Sequence, residues 1–258
     1  MGEVTVRLER DGPVAILSLD RPEKHNAADD AMDERFFALL GELHAAEDVR
    51  CVVWRGEGPS FSSGRDTTAL GRRPAGVSDL DFIARGHRWT ERLLTCPVPI
   101  VVALKGWVLG GSFERALLCD LRIAAEDARM ALPEVGHGVI PDSAGVARLF
   151  QMAGPGVACD LALTGRVIDA DEALRHGIVS RVVPTGDLDE HVLGVAHTIA
   201  ARSPVAVRLA RHVLHELGTP EVLATLRREW LAQTAVMADP SYVRAGGSGQ
   251  ATPSPAAP

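Results

Sequence analysis

The sequence has little of what marks several large classes of protein. Aromatic residues make up only 4% of the 258 residues, and the four cysteines include no CxxC pair. Paired cysteines are the usual signature of a structural zinc site, so no metal site is predicted. We interpret the cysteines as free and mostly buried thiols in a reducing compartment. Basic residues are not in excess, because the formal net charge is −7, and this argues against a nucleic-acid partner.

Long apolar runs are missing as well. The first ten residues are charged from Glu3 onward and lack the apolar stretch of a signal peptide. The longest aliphatic run, at 97–104, is far shorter than the ~20 residues that a membrane-spanning helix needs. We therefore expect no membrane association and a cytoplasmic location.

The chain does contain strands that alternate with helices in its first half. β-Branched and aliphatic runs predict strands at 4–8, 14–19, 50–56, 99–104 and 178–183, with a strand, turn and strand at 121–132. Helical spacing predicts helices at about 29–46, at 110–119 and through most of the chain after 143. The boundaries within 67–90 stay open. This order predicts an α/β core followed by a C-terminal helical region.

Three short segments carry residues suited to chemistry. They are FSSGRD (61–66), KGWVLGGSFE (105–114) and LPEVGHGVIPDSAG (132–145). In the second, a helix is expected to begin at Gly110-Gly111, where backbone N–H groups lack intrahelical partners and face the positive end of the helix dipole. Glu114 follows about one turn later. This predicts an oxyanion site beside a carboxylate, although a glycine pair can also serve close packing alone. The spacing does not match a nucleotide-binding loop.

Together with DRPEKHNA (20–27) and LTGRVIDADEALRHGIVSRVVP (163–184), these segments resemble the enoyl-CoA hydratase/isomerase (crotonase) family over about residues 4–240. The resemblance implies a spiral of ββα units, assembly as homotrimers or homohexamers, and acyl-CoA thioester substrates. It implies no cofactor beyond the coenzyme A of the substrate. We expect the spiral core at 1–195, a helical trimerisation region at 196–244 and a disordered tail at 245–258, which is small, polar and proline-rich.

Carried over residue by residue, the resemblance also implies a site. The backbone N–H groups of Ser63 and Gly111 would form the oxyanion hole. Glu114 would assist the water that adds at C3, and Glu134 would supply the proton to C2. The residues expected near coenzyme A are Lys24, His25, Ala27, Ser62, Asp66 and Arg211. For Asp66 a turn cap is the alternative, and for Arg211 a solvated helix face.

The sequence departs from the family pattern at several places, which include Ser112, where a glycine or alanine is usual, and the C-terminal end, which lacks the usual EGxxAFxxKR helix. Arg115 stands beside Glu114, where an aliphatic residue is common. A buried arginine must be paired, so Arg115 is expected either to face a subunit interface or to bind a carboxylate. If that carboxylate were Glu114, the acidity of Glu114 would rise and its role as a base would be in doubt.

Asp142 and Ala144 replace glycines in the loop PDSAG (141–145). Asp142 also occurs in family members that isomerise double bonds. The leading hypothesis is therefore an enoyl-CoA hydratase, with a double-bond isomerase and a catalytically idle acyl-CoA-binding paralogue as alternatives.

Overall fold

The structure is a computed structural model that describes residues 5–69, 76–239 and 242. The predicted tail at 245–258 lies outside these residues. The strands are β1 (Val6–Asp11), β2 (Val14–Leu19), β3 (Cys51–Gly56), β4 (Ile100–Leu104), β5 (Trp107–Leu109), β6 (Leu121–Ala125), β7 (Arg129–Ala131), β8 (Ile168–Asp169) and β9 (Arg181–Val183). The helices are α1 (Asp30–His44), α2 (Asp79–Leu94), α3 (Gly110–Leu118), α4 (Gly145–Thr164), α5 (Ala170–Arg175), α6 (Leu188–Ala200), α7 (Pro204–Glu216) and α8 (Thr219–Ala238). Short 3-10 helices occupy Pro22–Lys24, Thr67–Ala69, Glu134–His137 and Thr185–Asp187.

The main sheet has six strands in the order β1-β2-β3-β4-β6-β9. The β1–β2 hairpin is antiparallel around Gly12, and the remaining pairs are parallel. Every residue of β2 and β4 is buried, because α6 covers one face of the sheet and α1 and the rest of the core cover the other. Sheets covered on both faces have continuous apolar strands of this kind.

A second sheet of three short strands, in the order β5-β7-β8, lies beside the first. The predicted strand, turn and strand at 121–132 is confirmed as β6 and β7, but the two strands belong to different sheets. The chain thus places one strand in each sheet and then a helix: β4, β5 and α3 form one such unit, and β6, β7 and α4 the next. This is the stacked ββα arrangement that the resemblance implied.

The segment 67–90, in which the sequence left the element boundaries open, contains the 3-10 helix Thr67–Ala69 and the first part of α2. Helix α2 begins after Ser78, whose hydroxyl caps the helix by accepting the Asp81 N–H at 3.1 Å. The strand predicted at 178–183 is shorter and begins at Arg181. Helix α8 packs against α2 and α4, and thereby closes one side of the core. Among the described residues no helix is long and apolar enough to cross a membrane.

Candidate active site

The two glycine-containing turns meet through backbone hydrogen bonds. The N–H of Ser62 donates to the carbonyl of Trp107 at 2.9 Å, and the N–H of Leu109 donates to the carbonyl of Ser62 at 3.0 Å. Gly64 has a φ of +85°, and a Cβ there would lie 2.7 Å from the Leu109 carbonyl oxygen. Only glycine permits this close approach in this conformation. The turn at 61–66 is therefore held directly against the start of α3.

Two backbone N–H groups are left without partners where these turns meet. Gly111 lies in the first turn of α3, so its N–H has no intrahelical acceptor. The two neighbours of Arg65 are both hydrogen-bonded to Ala28: the Gly64 carbonyl accepts the N–H of Ala28 at 2.8 Å, and the N–H of Asp66 donates to the Ala28 carbonyl at 2.9 Å. Arg65 itself lies between these two bonds, and its N–H has no acceptor among the described residues. Arg65 and Gly111 line the same cavity.

The prediction for Ser63 is corrected by the same hydrogen bonds. Its backbone N–H donates to the carbonyl of His25 at 2.8 Å and is not available to a substrate oxygen. Ser63 is also not among the cavity-lining residues. Sequence reasoning could not identify the unpaired N–H of this turn, because it depends on how 61–66 pairs with the distant segment 25–28.

Glu114 lies one turn beyond Gly111 on α3 and is 1% exposed. Its carboxylate accepts backbone N–H groups from the loop 141–145: Asp142 at 3.2 Å, Ser143 at 3.2 Å and Gly145 at 3.1 Å. A Cβ on Gly145 would lie 2.4 Å from Glu114 Cα, so a glycine is required for the loop to approach this closely. The loop therefore holds the Glu114 carboxylate in one orientation.

Burial raises the pKa of Glu114 well above its ordinary value, and the nearby charges of Glu134 and Glu229 raise it further. Burial also raises the pKa of Glu134 to about 7. Glu134 approaches the start of α3 so closely that its Oε1 would lie 2.9 Å from a Cβ on Gly110. Its Oε2 is shielded from solvent and has no hydrogen-bond partner among the described residues. The two predicted carboxyl groups thus line the same cavity as Gly111.

Glu229 is a further buried carboxyl group that sequence reasoning missed. It is 8% exposed, and its Oε2 accepts the N–H of Ala144 at 2.8 Å. Four residues later on α8, Gln233 accepts the N–H of Ile140 at 3.1 Å. Burial raises the pKa of Glu229 to about 7. A signal was present in the sequence, because both residues continue the buried stripe of α8 that Val222, Leu226 and Met237 also form.

Arg115 forms an ion pair with Asp33 rather than with Glu114. Its guanidinium donates to the two Asp33 carboxylate oxygens at 2.7 and 3.2 Å and lies 5.3 Å from the centre of the Phe37 ring. The predicted need for a charged partner is confirmed. The Glu114 carboxylate accepts its direct hydrogen bonds from the backbone of the loop 141–145.

Asp142 brings another carboxyl group to the cavity. Burial raises its pKa to about 6, although the charges of Arg115 and Arg65 oppose the increase. Its backbone N–H is one of the groups bound to Glu114. The acid that distinguishes this loop from the family pattern therefore lies directly beside the predicted acid/base pair.

The residues predicted to meet coenzyme A fall into separate environments. Asp66 accepts the N–H and hydroxyl of Thr68 at 3.0 and 2.6 Å. Burial alone would raise its pKa, but these bonds, with those from Arg21 and the charge of Lys24, lower it to about 2. Asp66 therefore caps its turn, as the alternative interpretation held.

Of the remaining predicted contacts, Ser62 is fully buried, and its hydroxyl bonds to the Asn26 carbonyl and to Ser112, both at 2.8 Å. With its backbone groups also paired, Ser62 has no group left for a ligand, and its predicted role is corrected to a structural one. Ala27 is 9% exposed.

Lys24 and His25 are exposed beside this turn, and their proposed contact with coenzyme A stays a prediction. Arg211 on α7 lies elsewhere and donates to Asp120 at 2.7 Å and to the Cys96 carbonyl at 2.6 Å. It does not line the cavity within this chain, and its proposed role also stays a prediction.

The cavity that contains these groups has a volume of about 180 Å³. Its walls come from α2, α3, the loop 139–143 and the end of α8. The residues that line the cavity include Gly111, Glu114 and Glu134. Its charged and polar lining also includes Asp30, Asp33, Arg65, Arg85, His87, Arg115 and Asp142. A larger cavity of about 270 Å³ between α1 and α7 contains none of the predicted site residues. Among the described residues, no group of three side chains is arranged to hold a metal ion.

Sequence comparisons agree with the geometry. A family model described as enoyl-CoA hydratase/isomerase matches residues 9–238. A short-chain-enoyl-CoA hydratase of Clostridium acetobutylicum is 34% identical over 211 residues, which cover 81% of this chain and 80% of that protein. A carnitinyl-CoA dehydratase of Salmonella arizonae is 36% identical over 214 residues, which cover 81% and 79% of the two chains.

Solved structures give the same result for the fold. An enoyl-CoA hydratase/isomerase from Xanthobacter autotrophicus superimposes with a TM-score of 0.83 at 32% identity, over 91% of this chain and 88% of that one. One from Pseudoalteromonas atlantica has a TM-score of 0.84 at 27% identity, over 93% and 94% of the chains. The predicted α/β fold with a C-terminal helical region is confirmed.

Proposed function

The chain belongs to the enoyl-CoA hydratase/isomerase family and is an enzyme of that family, and we propose that it adds water across the double bond of a 2-enoyl-CoA. The observation that carries this proposal is the pair Glu114 and Glu134, two carboxyl groups with raised pKa values that line one cavity with Gly111, whose N–H has no intrahelical acceptor. The names of the two relatives, a hydratase and a dehydratase, support a reaction that gains or loses water.

In this proposal the thioester oxygen accepts hydrogen bonds from the backbone N–H groups of Arg65 and Gly111. Water forms its bond to C3, the π electrons move toward C1, and the negative charge develops on the thioester oxygen. Two fixed backbone donors stabilise that charge without rearranging, and the loss of one such donor typically costs ~10²–10³ in rate.

The two carboxyl groups then manage the protons. Glu114 accepts a proton from the attacking water, and Glu134 donates a proton to C2, so the sum is the addition of one water. Their charges repel each other, and the pair therefore holds one proton near neutral pH. Burial raises the pKa of both groups, and the backbone N–H donors around Glu114 oppose that increase there, so in this proposal Glu134 holds the shared proton before water adds.

The test is a spectrophotometric assay with short, long and aryl 2-enoyl-CoA thioesters. Hydration removes the conjugated double bond, so the enone absorbance decreases. We expect turnover that falls by ~10²–10⁴ in Glu114→Gln and in Glu134→Gln, the range for the loss of an acid/base group. A well-folded wild-type protein that leaves every 2-enoyl-CoA unchanged would refute the hydratase proposal.

Asp142 supports a double-bond isomerase as a second candidate. It is a third carboxyl group beside the acid/base pair, with a pKa of about 6, and one carboxyl group suffices to move a proton between two carbons. Isomerisation converts a 3-enoyl-CoA to a 2-enoyl-CoA and so increases the enone absorbance. If that increase is faster than the decrease seen with a 2-enoyl-CoA, the isomerase is favoured. The idle acyl-CoA-binding paralogue predicts saturable binding without either change.

We also propose that the protein assembles as a homotrimer or homohexamer. Helix α7 exposes Val205, Leu209 and Val213 at four-residue intervals, and the exposed Leu217 caps its C-terminal end at the same interval, which forms an apolar stripe on one face. Such stripes on a soluble protein mark interaction surfaces. Sedimentation analysis should give three or six times the mass of 27.5 kDa. A monomer would refute this part of the proposal.

A further inference from the structure

The wall of the cavity opposite α3 carries a buried histidine that the proposed chemistry does not use. His87 on α2 is 8% exposed, and its Nε2 has no hydrogen-bond partner among the described residues. The other ring nitrogen makes a hydrogen bond to the backbone of Asp142. Burial lowers the pKa of His87 to about 4, so the ring is neutral under ordinary conditions.

These bonds fix what His87 can offer a ligand. A neutral imidazole has one N–H donor and one acceptor nitrogen. The backbone carbonyl of Asp142 takes the donor, which leaves Nε2 as a buried, unpaired acceptor on a ring that lines the cavity. The Asp142 carboxyl group lines the same cavity, and among the described residues its hydrogen bonding is limited to its own backbone N–H. This wall therefore has two hydrogen-bond acceptors, His87 Nε2 and the Asp142 carboxyl group, to which a ligand could donate.

The other charged side chains of the wall already have partners. Asp30 binds both Arg65 and Arg85, and Asp33 binds Arg115. The Nε atoms of Arg85 and Arg115 are buried and have no partner among the described residues, so each remains an unpaired donor of this wall.

A carboxylate at the end of a substrate would meet the charge of Asp142. A plain alkyl chain would bury His87 Nε2 and Asp142 without hydrogen bonds, which is costly. A hydroxyl group can donate to one of these acceptors and accept from Arg115.

We propose that the preferred acyl group is short and carries a hydroxyl group beyond C3, bound by His87, Asp142 and Arg115. The inference rests on the proposed function, because the thioester must be anchored at Gly111 for the acyl chain to extend past Glu114 toward this wall. The cavity volume of about 180 Å³ fits a chain of a few carbons, since pockets for drug-sized ligands hold about 300–1,000 Å³.

The experiment compares substrates of equal size that differ in one group. In 5-hydroxy-2-pentenoyl-CoA and 2-hexenoyl-CoA a hydroxyl replaces a methyl, and 4-carboxy-2-butenoyl-CoA supplies a carboxylate. We expect kcat/KM to be about 10- to 100-fold higher for the hydroxyl substrate than for the alkyl one. Equal values, or a preference for the carboxylate, would overturn the inference.

Variants locate the source of the preference. His87→Phe and Asp142→Asn should each reduce the preference for the hydroxyl substrate over the alkyl one, and His87→Phe should reduce it to within about threefold. Arg88→Ala, an exposed neighbour on α2, should leave the preference unchanged. If both site variants keep the preference for the hydroxyl substrate, the proposed contacts are contradicted. Two variants are used so that the test still gives a result if one of them does not fold.

Calorimetric binding of saturated thioesters separates this inference from the hydratase proposal. If 5-hydroxypentanoyl-CoA binds wild type more tightly than hexanoyl-CoA, the tail site is supported even when no 2-enoyl-CoA is hydrated. If the Kd values are equal, the tail site is refuted even when hydration is fast.

Discussion

The Oε2 oxygen of Glu229 lies 2.8 Å from the backbone nitrogen of Ala144, so the last helix of the chain fixes the loop that surrounds Glu114. Ala144 has a φ of +62°, a left-handed conformation that costs a non-glycine residue free energy. The hydrogen bond from Ala144 to Glu229 helps to maintain that conformation. Glu229 is thus a positioning residue for Glu114.

This relationship predicts different effects for two substitutions of Glu229. Glu229→Gln keeps an oxygen that can accept the Ala144 N–H, whereas Glu229→Ala leaves that buried N–H without a partner, at a cost of about 1–3 kcal/mol. We expect Glu229→Ala to lower both kcat and the melting temperature, and Glu229→Gln to retain most activity. Removal of the Glu229 charge should also move the acidic limb of the pH–rate profile to lower pH, because that charge raises the pKa of Glu114. Equal losses in both variants, with no shift of the profile, would contradict the positioning role.

The close contact of Gly64 with Leu109 gives a second prediction. Gly64→Ala adds both backbone strain and a clash with the Leu109 carbonyl oxygen, 2.7 Å away. Gly76→Ala is a matched control, since Gly76 has a similar φ of +82° but no atom of the described residues within 4 Å of a new Cβ. We expect Gly64→Ala to lower kcat by at least tenfold, because the two oxyanion donors would separate. Gly76→Ala should reduce only the free energy of unfolding, by about 1 kcal/mol. Similar kcat values for the two variants would argue against the proposed oxyanion geometry.

The ion pair between Arg115 and Asp33 predicts strong coupling in stability. Asp33 is 6% exposed, and removal of one partner from a buried ion pair typically costs about 3–5 kcal/mol. Arg115→Met should therefore destabilise the protein in urea unfolding. The double variant Arg115→Met/Asp33→Leu should recover part of that loss, because the buried Asp33 carboxylate is removed as well, while Arg65, which also contacts Asp33 at 3.7 Å, keeps its ion pair with Asp30. Additive effects of the two substitutions would show that the pair is not coupled.

The raised pKa values of the buried acids predict how stability depends on pH. Glu134 and Glu229 have ordinary values of 4.5 that rise to about 7 in the folded protein. The folded state therefore binds more protons than the unfolded state between these values, and stability falls as the pH rises through this window. We expect the free energy of unfolding to decrease by roughly 1–3 kcal/mol for each group between pH 4.5 and 7. The Glu134→Gln variant should show a flatter dependence in urea titrations at several pH values, and an unchanged slope would contradict the assignment.

Much of the fold and part of the site follow from local sequence signals. Asp29 caps α1 by accepting the Met32 N–H at 2.9 Å, as expected for an acidic residue before an amphipathic run. The Gly110-Gly111 pair begins α3, and Glu114 and Glu134 meet at that point. Each of these features depends on residues close together in the chain or on a family motif.

The features that sequence reasoning missed depend on distant contacts. Whether the N–H of Ser63 or of Arg65 is free is decided by the segment 25–28, which pairs with the turn in space. The role of Glu229 depends on the loop 141–145, which is far from it in the chain. Periodicity marks Glu229 as buried, but it does not identify the buried group's partner.

The loop 141–145 touches both the group that handles protons and the wall that would select the acyl tail. Variation confined to α2, around His87, could change the accepted substrate while the proton chemistry continues unaltered. Variation in the loop would disturb both at once. In a laboratory evolution experiment, variants of this enzyme that accept new substrates should therefore carry substitutions in α2 and retain residues 141–145. The loop thus limits which substitutions can change the specificity of the enzyme.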